Sequence, residues 1–273
     1  MAERIRLLCD AKAMIGESPL PVDGGLLWTD PVQSRLLRFD GTLETIATET
    51  PIWSLARQSG GVIVGASDDR LNYSNDGRDW RAGPRADFAA GCRFNDMAAG
   101  PDGALWIGAM HRGTLATRGA LYRAVGPDEE PRLIAAGLGV PNGMKISGDG
   151  RTLFVIDTLM RTLLAYPIQG TGLGEPSIVT DFMGVPGKPD GMAIGADGSF
   201  RVAMWGGGCI AHVGADGAIL GQDEVPAPHV SSVCFATPSK LVVSTSRMRL
   251  SPAVLAAYPA SGGLFAIDLE VAA

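Results

Sequence analysis

Several features that mark whole classes of protein are missing from this sequence. Histidine is scarce. The three copies, His111, His212 and His229, show no HxxxH or HxH spacing, which argues against a His-ligated zinc site. The four cysteines, Cys9, Cys92, Cys209 and Cys234, are scattered, with no CxxC pair and no Cys/His ligand spacing. They read as reduced, mostly buried thiols of a cytosolic protein rather than as a disulfide framework. There is no Lys/Arg run, and acidic residues outnumber basic ones 29 to 23, for a formal net charge of −6. Nucleic acid and anionic membranes are therefore not expected partners. No apolar run approaches the ~18 residues of a membrane span. The opening MAERIRLLCDAKAM lacks a basic stretch followed by an apolar core, so no signal peptide is expected and the cytoplasm is the expected location. A GxSxG nucleophile turn is absent, which removes the usual setting of a Ser/His/Asp triad. No segment carries a sustained helical apolar stripe with caps.

What remains is a globular composition, 46% hydrophobic and 19% charged, in a chain long enough to bury a large core. One phrase recurs through it: an apolar stretch, a turn usually containing Gly or Asp-Gly, then an alternating apolar strand. The copies are PVDGGLLWTD (21–30), RQSGGVIVGA (57–66), AGPDGALWIGA (99–109), ISGDGRTLFVID (146–157), IGADGSFRVAM (194–204) and ATPSKLVVST (236–245). Each is followed by a second strand-like segment: 34–41, 69–77, 119–126, 161–169, 208–217 and 262–270. The glycines supply the positive φ of hairpin turns. A unit of this kind cannot bury its apolar face alone, so copies must pack on one another.

An all-β fold follows, and a period of roughly forty residues suits a β-propeller with four-stranded blades. A sandwich would not explain six copies of one phrase, and a solenoid has a shorter, stricter period. The expectation is a single domain over 1–273, a six-bladed β-propeller in which the N-terminal segment IRLLC (5–9) closes the last blade. LSPAVLAAYPASG (250–262) reads as an insertion holding one helical turn.

The residues preceding each copy differ. Aligning the copies on the strand after the turn brings Glu17, Ile52 (or its neighbour Trp53), Asn95, Asn142, Asp190 and Ser231 to one level. In a propeller this level surrounds the central axis, so residues as far apart in sequence as Glu17 and Asn142 face each other. Most polar members sit in turn-forming phrases, GESP, RFND, PNGM and PDGM, as expected at a channel mouth. One Asn-Gly or Asp-Gly is simply a turn. Several in register, with an acid in the first copy, form a set of hard oxygen ligands suited to Ca²⁺, Mg²⁺ or Mn²⁺.

In this order and spacing, Gly16-Glu17-Ser18-Pro19, Arg93-Phe94-Asn95-Asp96, Pro141-Asn142-Gly143 and Pro189-Asp190-Gly191-Met192 resemble the SMP-30/gluconolactonase family, which includes sugar lactonases and luciferin-regenerating enzymes. LWIGAM follows the second phrase and VIDT the third, and the likeness runs over nearly the whole chain. The resemblance implies a six-bladed propeller in which Glu17, Asn142 and Asp190 bind one divalent cation. Ca²⁺ is the first choice; Zn²⁺, Mg²⁺, Mn²⁺ and Fe²⁺ are alternatives. It further implies that Arg93 and Asn95 line the substrate pocket and that Asp190 is the general base. The implied activity is metal-dependent hydrolysis of a sugar-derived lactone, such as a glucono-, xylono-, arabino- or galactonolactone. The partner is then a small-molecule lactone, and the protein a monomer or weak dimer. The readings left open are a related propeller hydrolase acting on organophosphates or aryl esters, and a non-catalytic propeller stapled by its metal.

Two departures stand out. Many sugar lactonases carry a longer acidic segment after the GTM-like phrase; here GAMHRGTLATRGALY is short and places His111 and Arg112 there. WGGGCI (205–210) puts Cys209 where an apolar or small residue is expected. The more basic pocket edge favours an acidic substrate, such as a lactone with a second carboxylate. His212 alternates with apolar residues and reads as structural, whereas His229 is a candidate to reach the pocket. Trp53 and Trp205 are candidate sugar-stacking platforms, and Trp28 and Trp106 core residues.

Overall fold

The structure, a computed structural model, describes residues 4–269. Among them are twenty-five β-strands, a 3-10 turn at Pro31–Gln33 and a short α-helix at Pro252–Ala257. The all-β reading holds. No helix among the described residues is long and apolar enough to cross a membrane.

The chain divides into two compact units. One is Thr50–Met183, with three antiparallel sheets. The first runs Ser54–Arg57, Ile63–Ala66, Arg70–Ser74, Arg81–Arg85, and the second Cys92–Ala99, Leu105–His111, Gly119–Ala124, Arg132–Leu138. The third is Pro141–Ile146, Thr152–Asp157, Thr162–Gln169 and Ser177–Asp181, with the two-residue strand Gly172–Leu173 added to the third strand.

The other unit takes the residues up to Glu49 and those from Gly184 onward. It holds a four-stranded sheet, Glu17–Val22, Gly25–Asp30, Arg35–Phe39 and Leu43–Ala47. Its eight-stranded sheet consists of two four-stranded arrays joined through the single pair Trp205–His229. The first array is Lys188–Ile194, Phe200–Trp205, Cys209–Val213 and Ile219–Glu224. The second is His229–Thr237, Lys240–Ser246, Leu264–Asp268 and, at its edge, Ile5–Cys9. The N-terminal strand therefore completes the last array, with Ile5 opposite Ile267 and Arg6 opposite Ala266.

Each recurrent phrase spans a first-to-second strand hairpin. Gly103, Gly150 and Gly198 sit at φ 81°, 73° and 80°, a conformation that costs glycine little. The preceding aspartates close these turns, their Oδ1 atoms accepting the N–H groups of Ala104, Arg151 and Ser199 at 3.0–3.1 Å. Hydrogen bonds from Ser147 and Ser199 hold the carboxyls of Asp149 and Asp197 below the usual range.

Alternate strand residues face inward. Trp28 and Trp106 are fully buried, as expected. Phe88, Phe94 and Tyr122 form an edge-to-face trio with ring centroids 4.8–5.8 Å apart. The insertion carries its helical turn, which is capped by Ser251 Oγ accepting from the Val254 N–H and has no buried residue. All four cysteines are free thiols, Cys9 and Cys209 buried and Cys92 and Cys234 half-buried. The last second-strand segment, read as ending at 270, has its strand at Leu264–Asp268, and Glu270 lies outside the described residues.

His212 is structural. Its Nε2 lies 2.5 Å from Asp223 Oδ2, and Arg4 approaches the same carboxylate at 3.0 Å. Burial pushes the Asp223 carboxyl upward, but the hydrogen bond and charge of His212, with the charges of Arg4 and Arg201, outweigh it and hold the group below the usual range. A native value below the unfolded one, about 3.9, means a contribution complete above that pH and lost as pH falls through the native value. The difference in melting temperature between the native protein and Asp223→Asn should therefore be largest near neutrality and shrink below about pH 4. Thermal melts from pH 7 to pH 3 measure it, and a difference that grew toward acid would contradict the pairing.

Candidate active site

The polar residues picked out by the repeats lie on the first strand of their arrays, and at nearly the same place. Register slips by one or more residues between Glu17 and Leu20, Phe94 and Met97, Asn142 and Lys145, Pro189 and Met192, and Val230 and Ser232. Each slip opens the ladder where Glu17, Asn95, Asn142, Asp190 or Ser231 stands, which is how bulges re-aim side chains.

The Ser54 strand pairs without a slip. Here the structure selects between two neighbours. Ile52 is buried at 3% exposure, packed over Gly65, whereas Trp53 is half-buried and faces Arg93. Trp53, not Ile52, is the neighbour that meets Arg93.

In the Thr50–Met183 unit, Arg93 Cζ lies 3.5 Å above the Trp53 ring centroid. Its Nη1 donates to Asn95 Oδ1 at 2.9 Å and to the Phe94 carbonyl at 2.6 Å. Asn95 Nδ2 in turn donates to the Pro141 carbonyl at 2.9 Å, beside Asn142. The two expected substrate residues are thus brought together, and joined to the strand that carries an expected ligand. Asn142 Nδ2 donates to Thr158 Oγ1 at 3.3 Å, which points the amide oxygen the other way, where it accepts the Gly143 N–H at 3.2 Å.

Asp96, quoted in the RFND phrase but given no role there, ties these strands together. Its carboxylate accepts Ser54 Oγ at 2.7 Å, the Met97 N–H at 2.8 Å and the Met144 N–H at 3.0 Å.

In the other unit, Glu17 and Asp190 stand on strands that both pack against His229–Thr237. Ser231 Oγ donates to the Gly16 carbonyl. Gly191 lies so close to Ser232 that a Cβ there would sit 2.7 Å from the Ser232 Cα, so the PDG phrase needs its glycine for contact. Asp190 is 7% exposed. His229 stacks on Trp205, centroids 4.3 Å apart and 17° from parallel. Burial lowers the His229 pKa against a hydrogen bond to the Met248 backbone. Trp53 and Trp205 therefore each have one face already covered, which changes their expected use as open sugar platforms.

Two aspartates that sequence reading left without a role pin the loops entering Glu17 and Asn142. Asp30, fully buried, accepts the Met14 and Ile15 N–H groups at 3.1 Å and pairs with Arg35 at 2.9 Å. Asp157 accepts four backbone N–H groups, of Gly139, Val140, Leu159 and Met160, at 2.7–3.3 Å. A signal was present: both aspartates end a repeat phrase, LLWTD and LFVID. Asp157→Ala would strand these donors, at a cost of about 3 kcal/mol or more. Its melting temperature should fall by roughly 6–12 °C, read by calorimetry.

The donors fit a hard cation. Glu17 and Asp190 offer carboxylate oxygens and Asn142 an amide oxygen, the ligand chemistry of Ca²⁺ and its relatives. Among the described residues no three His, Cys, Asp or Glu side chains cluster as a metal group.

Residues 15–247 match the family model for the SMP-30/gluconolactonase/LRE-like region. The chain belongs to this family. Among its relatives, a pentonolactonase of Haloferax volcanii is 31% identical over 249 residues, covering 87% of this chain and 83% of that protein. A 6-deoxy-6-sulfogluconolactonase of Pseudomonas putida is 27% identical and covers 99% and 97%. Among solved structures, a calcium-binding regucalcin from Agrobacterium tumefaciens superposes with a TM-score of 0.88 at 28% identity, over 97% of this chain and 94% of that one. The all-β array of four-stranded sheets is thus the family's fold.

Proposed function

We propose that this protein is a divalent-metal-dependent lactonase that opens a sugar-derived lactone to the free hydroxy acid. The observation that carries the reading is the joined cluster in which Arg93 and Asn95, on the strand bearing the RFND phrase, meet Trp53 of the preceding sheet, in a family whose relatives are named as lactonases. Glu17, Asn142 and Asp190 hold one divalent cation, with Ca²⁺ the first choice, a reading supported by the oxygen donor set and by likeness to a calcium-binding regucalcin. The six-bladed ring is part of the same proposal.

When bound, the cation supplies Lewis acidity to the lactone carbonyl oxygen. Asp190 takes the proton from the attacking water as its oxygen bonds to the carbonyl carbon. The ring C–O bond then breaks, and the departing alkoxide takes the proton back from Asp190, which leaves a hydroxy acid and restores the carboxylate. General-base help of this kind is worth about 10²–10⁴-fold. Arg93 and Asn95 hold ring hydroxyls or the carbonyl, and their mutual hydrogen bond sets both before substrate arrives. The cytosol is the proposed compartment, in keeping with four free thiols.

The test is acid release in a pH-stat from a panel of aldonolactones, an aryl ester and an organophosphate. Turnover of lactones above the other two is the expected result. Preferred turnover of the ester or the organophosphate would replace the reading.

A further inference from the structure

A second guanidinium stands at the edge of the Arg93 cluster. Arg112 follows the strand Leu105–His111, and its backbone N–H donates to the Gly91 carbonyl at 2.9 Å. Its Nη2 lies 2.9 Å from Asp68 Oδ2. The other Asp68 oxygen accepts the Trp53 indole N–H at 2.7 Å, and the Trp53 ring carries Arg93 on its face. Asp68 is fixed in turn, because its carbonyl accepts the Phe94 N–H at 2.9 Å. Two guanidiniums thus meet at one tryptophan–carboxylate pair.

Arg112 sits on a chain of net charge −6, whose overall field repels anions. It also stands where the sequence has a short basic segment, His111-Arg112. The Arg112 side chain is 48% exposed and that of Asp68 39%, so their ion pair is screened and worth only about 0.2–1 kcal/mol. Giving it up costs little. A two-pronged contact from a guanidinium to a carboxylate is worth about 1.5–3 kcal/mol.

We propose that Arg112 is a specificity residue that pairs with an anionic substituent on the substrate, so that the preferred lactone carries a second acid group besides its cyclic ester. Arg93 binds the ring, Arg112 the anion, and the Trp53–Asp68 pair holds the two guanidiniums at a set separation. This inference rests on the lactonase reading, and its test separates the two.

Initial rates would be measured for D-glucono-1,5-lactone and D-glucaro-1,4-lactone with the native protein, Arg112→Gln, Arg112→Glu and Arg151→Gln. Arg151 lies in the exposed Ser147–Thr152 hairpin turn and controls for loss of one positive charge. The ratio of kcat/KM, anionic over neutral lactone, should fall about tenfold in Arg112→Gln through KM, and further in Arg112→Glu. It should hold in Arg151→Gln, and rising salt should compress it in the native protein. An Arg112→Gln ratio within twofold of native, including equal losses on both substrates, overturns the inference. If the native protein turns over neither lactone nor any other aldonolactone of the panel, the lactonase reading fails. The inference is then decided by calorimetric binding of D-glucarate against D-gluconate: a preference for the dianion that vanishes in Arg112→Gln upholds it, and equal binding overturns it.

Discussion

Asp190→Asn should lower kcat for an aldonolactone by about 10²–10⁴-fold while retaining much of the affinity for the cation. The amide keeps an oxygen donor but cannot accept the proton of water. Asp190→Ala removes both functions, so turnover should disappear and the cation should bind more weakly. Asp190 sits at the register slip between Pro189 and Met192, with Gly191 against Ser232, so the variants need a check that the fold survives. Far-ultraviolet circular dichroism serves for that, and calorimetric titration with Ca²⁺ separates the two variants. Wild-type turnover in Asp190→Asn with metal bound would remove Asp190 as the base. Wild-type metal affinity in Asp190→Ala would remove it as a ligand.

Chelation carries the second large effect. With excess EDTA, lactone hydrolysis should fall by at least about 10²-fold, since the carbonyl loses its electrophilic partner. Added Ca²⁺, or another hard divalent ion, should restore it. A site held at 100 times its dissociation constant stabilises the native state by about 2.7 kcal/mol. Emptying it should lower the melting temperature by roughly 5–11 °C. The two readouts distinguish a catalytic from a stapling cation: a fall in melting temperature in a protein that turns over no lactone would leave only the structural role. Activity unaffected by EDTA would remove the cation from the reaction altogether.

Much of the fold is visible in the sequence because hairpin turns and strand alternation are local. The Asp-Gly pairs at 102–103, 149–150 and 197–198 identify their turns, since few other pairs combine a positive φ with a side chain that closes the turn. Counting back from those turns then finds Asn95, Asn142 and Asp190, because a first strand has a fairly constant length. The same count fails in the second copy. There Ile52 and Trp53 are equally placed by number, and the regular pairing of Ser54–Arg57 gives no bulge to match the other strands.

Choosing Trp53 required knowing which side chain meets Arg93, forty residues on in the chain. That is a fact of packing between sheets. Asp68 is less visible still: SDDR reads as a polar turn, and only the fold brings one of its acids under the Trp53 indole and against Arg112. Asp96 is likewise ordinary in sequence, and for Asp30 and Asp157 the end of a repeat phrase marks the position without saying what the carboxylate holds. Their value comes from backbone N–H groups on loops and strands that reach them only after the sheets have formed.

By itself the sequence determined the strand periodicity, the turns, the family and the level at which polar residues differ, all of which depend on neighbours within about a dozen positions or on matching short phrases. The tertiary structure alone decided which of those polar groups are joined to one another, which face of each tryptophan is already covered, and which carboxylates are spent on holding the backbone. Those outcomes turn on distances of 2.7–3.5 Å between atoms tens of residues apart, and no local rule encodes them.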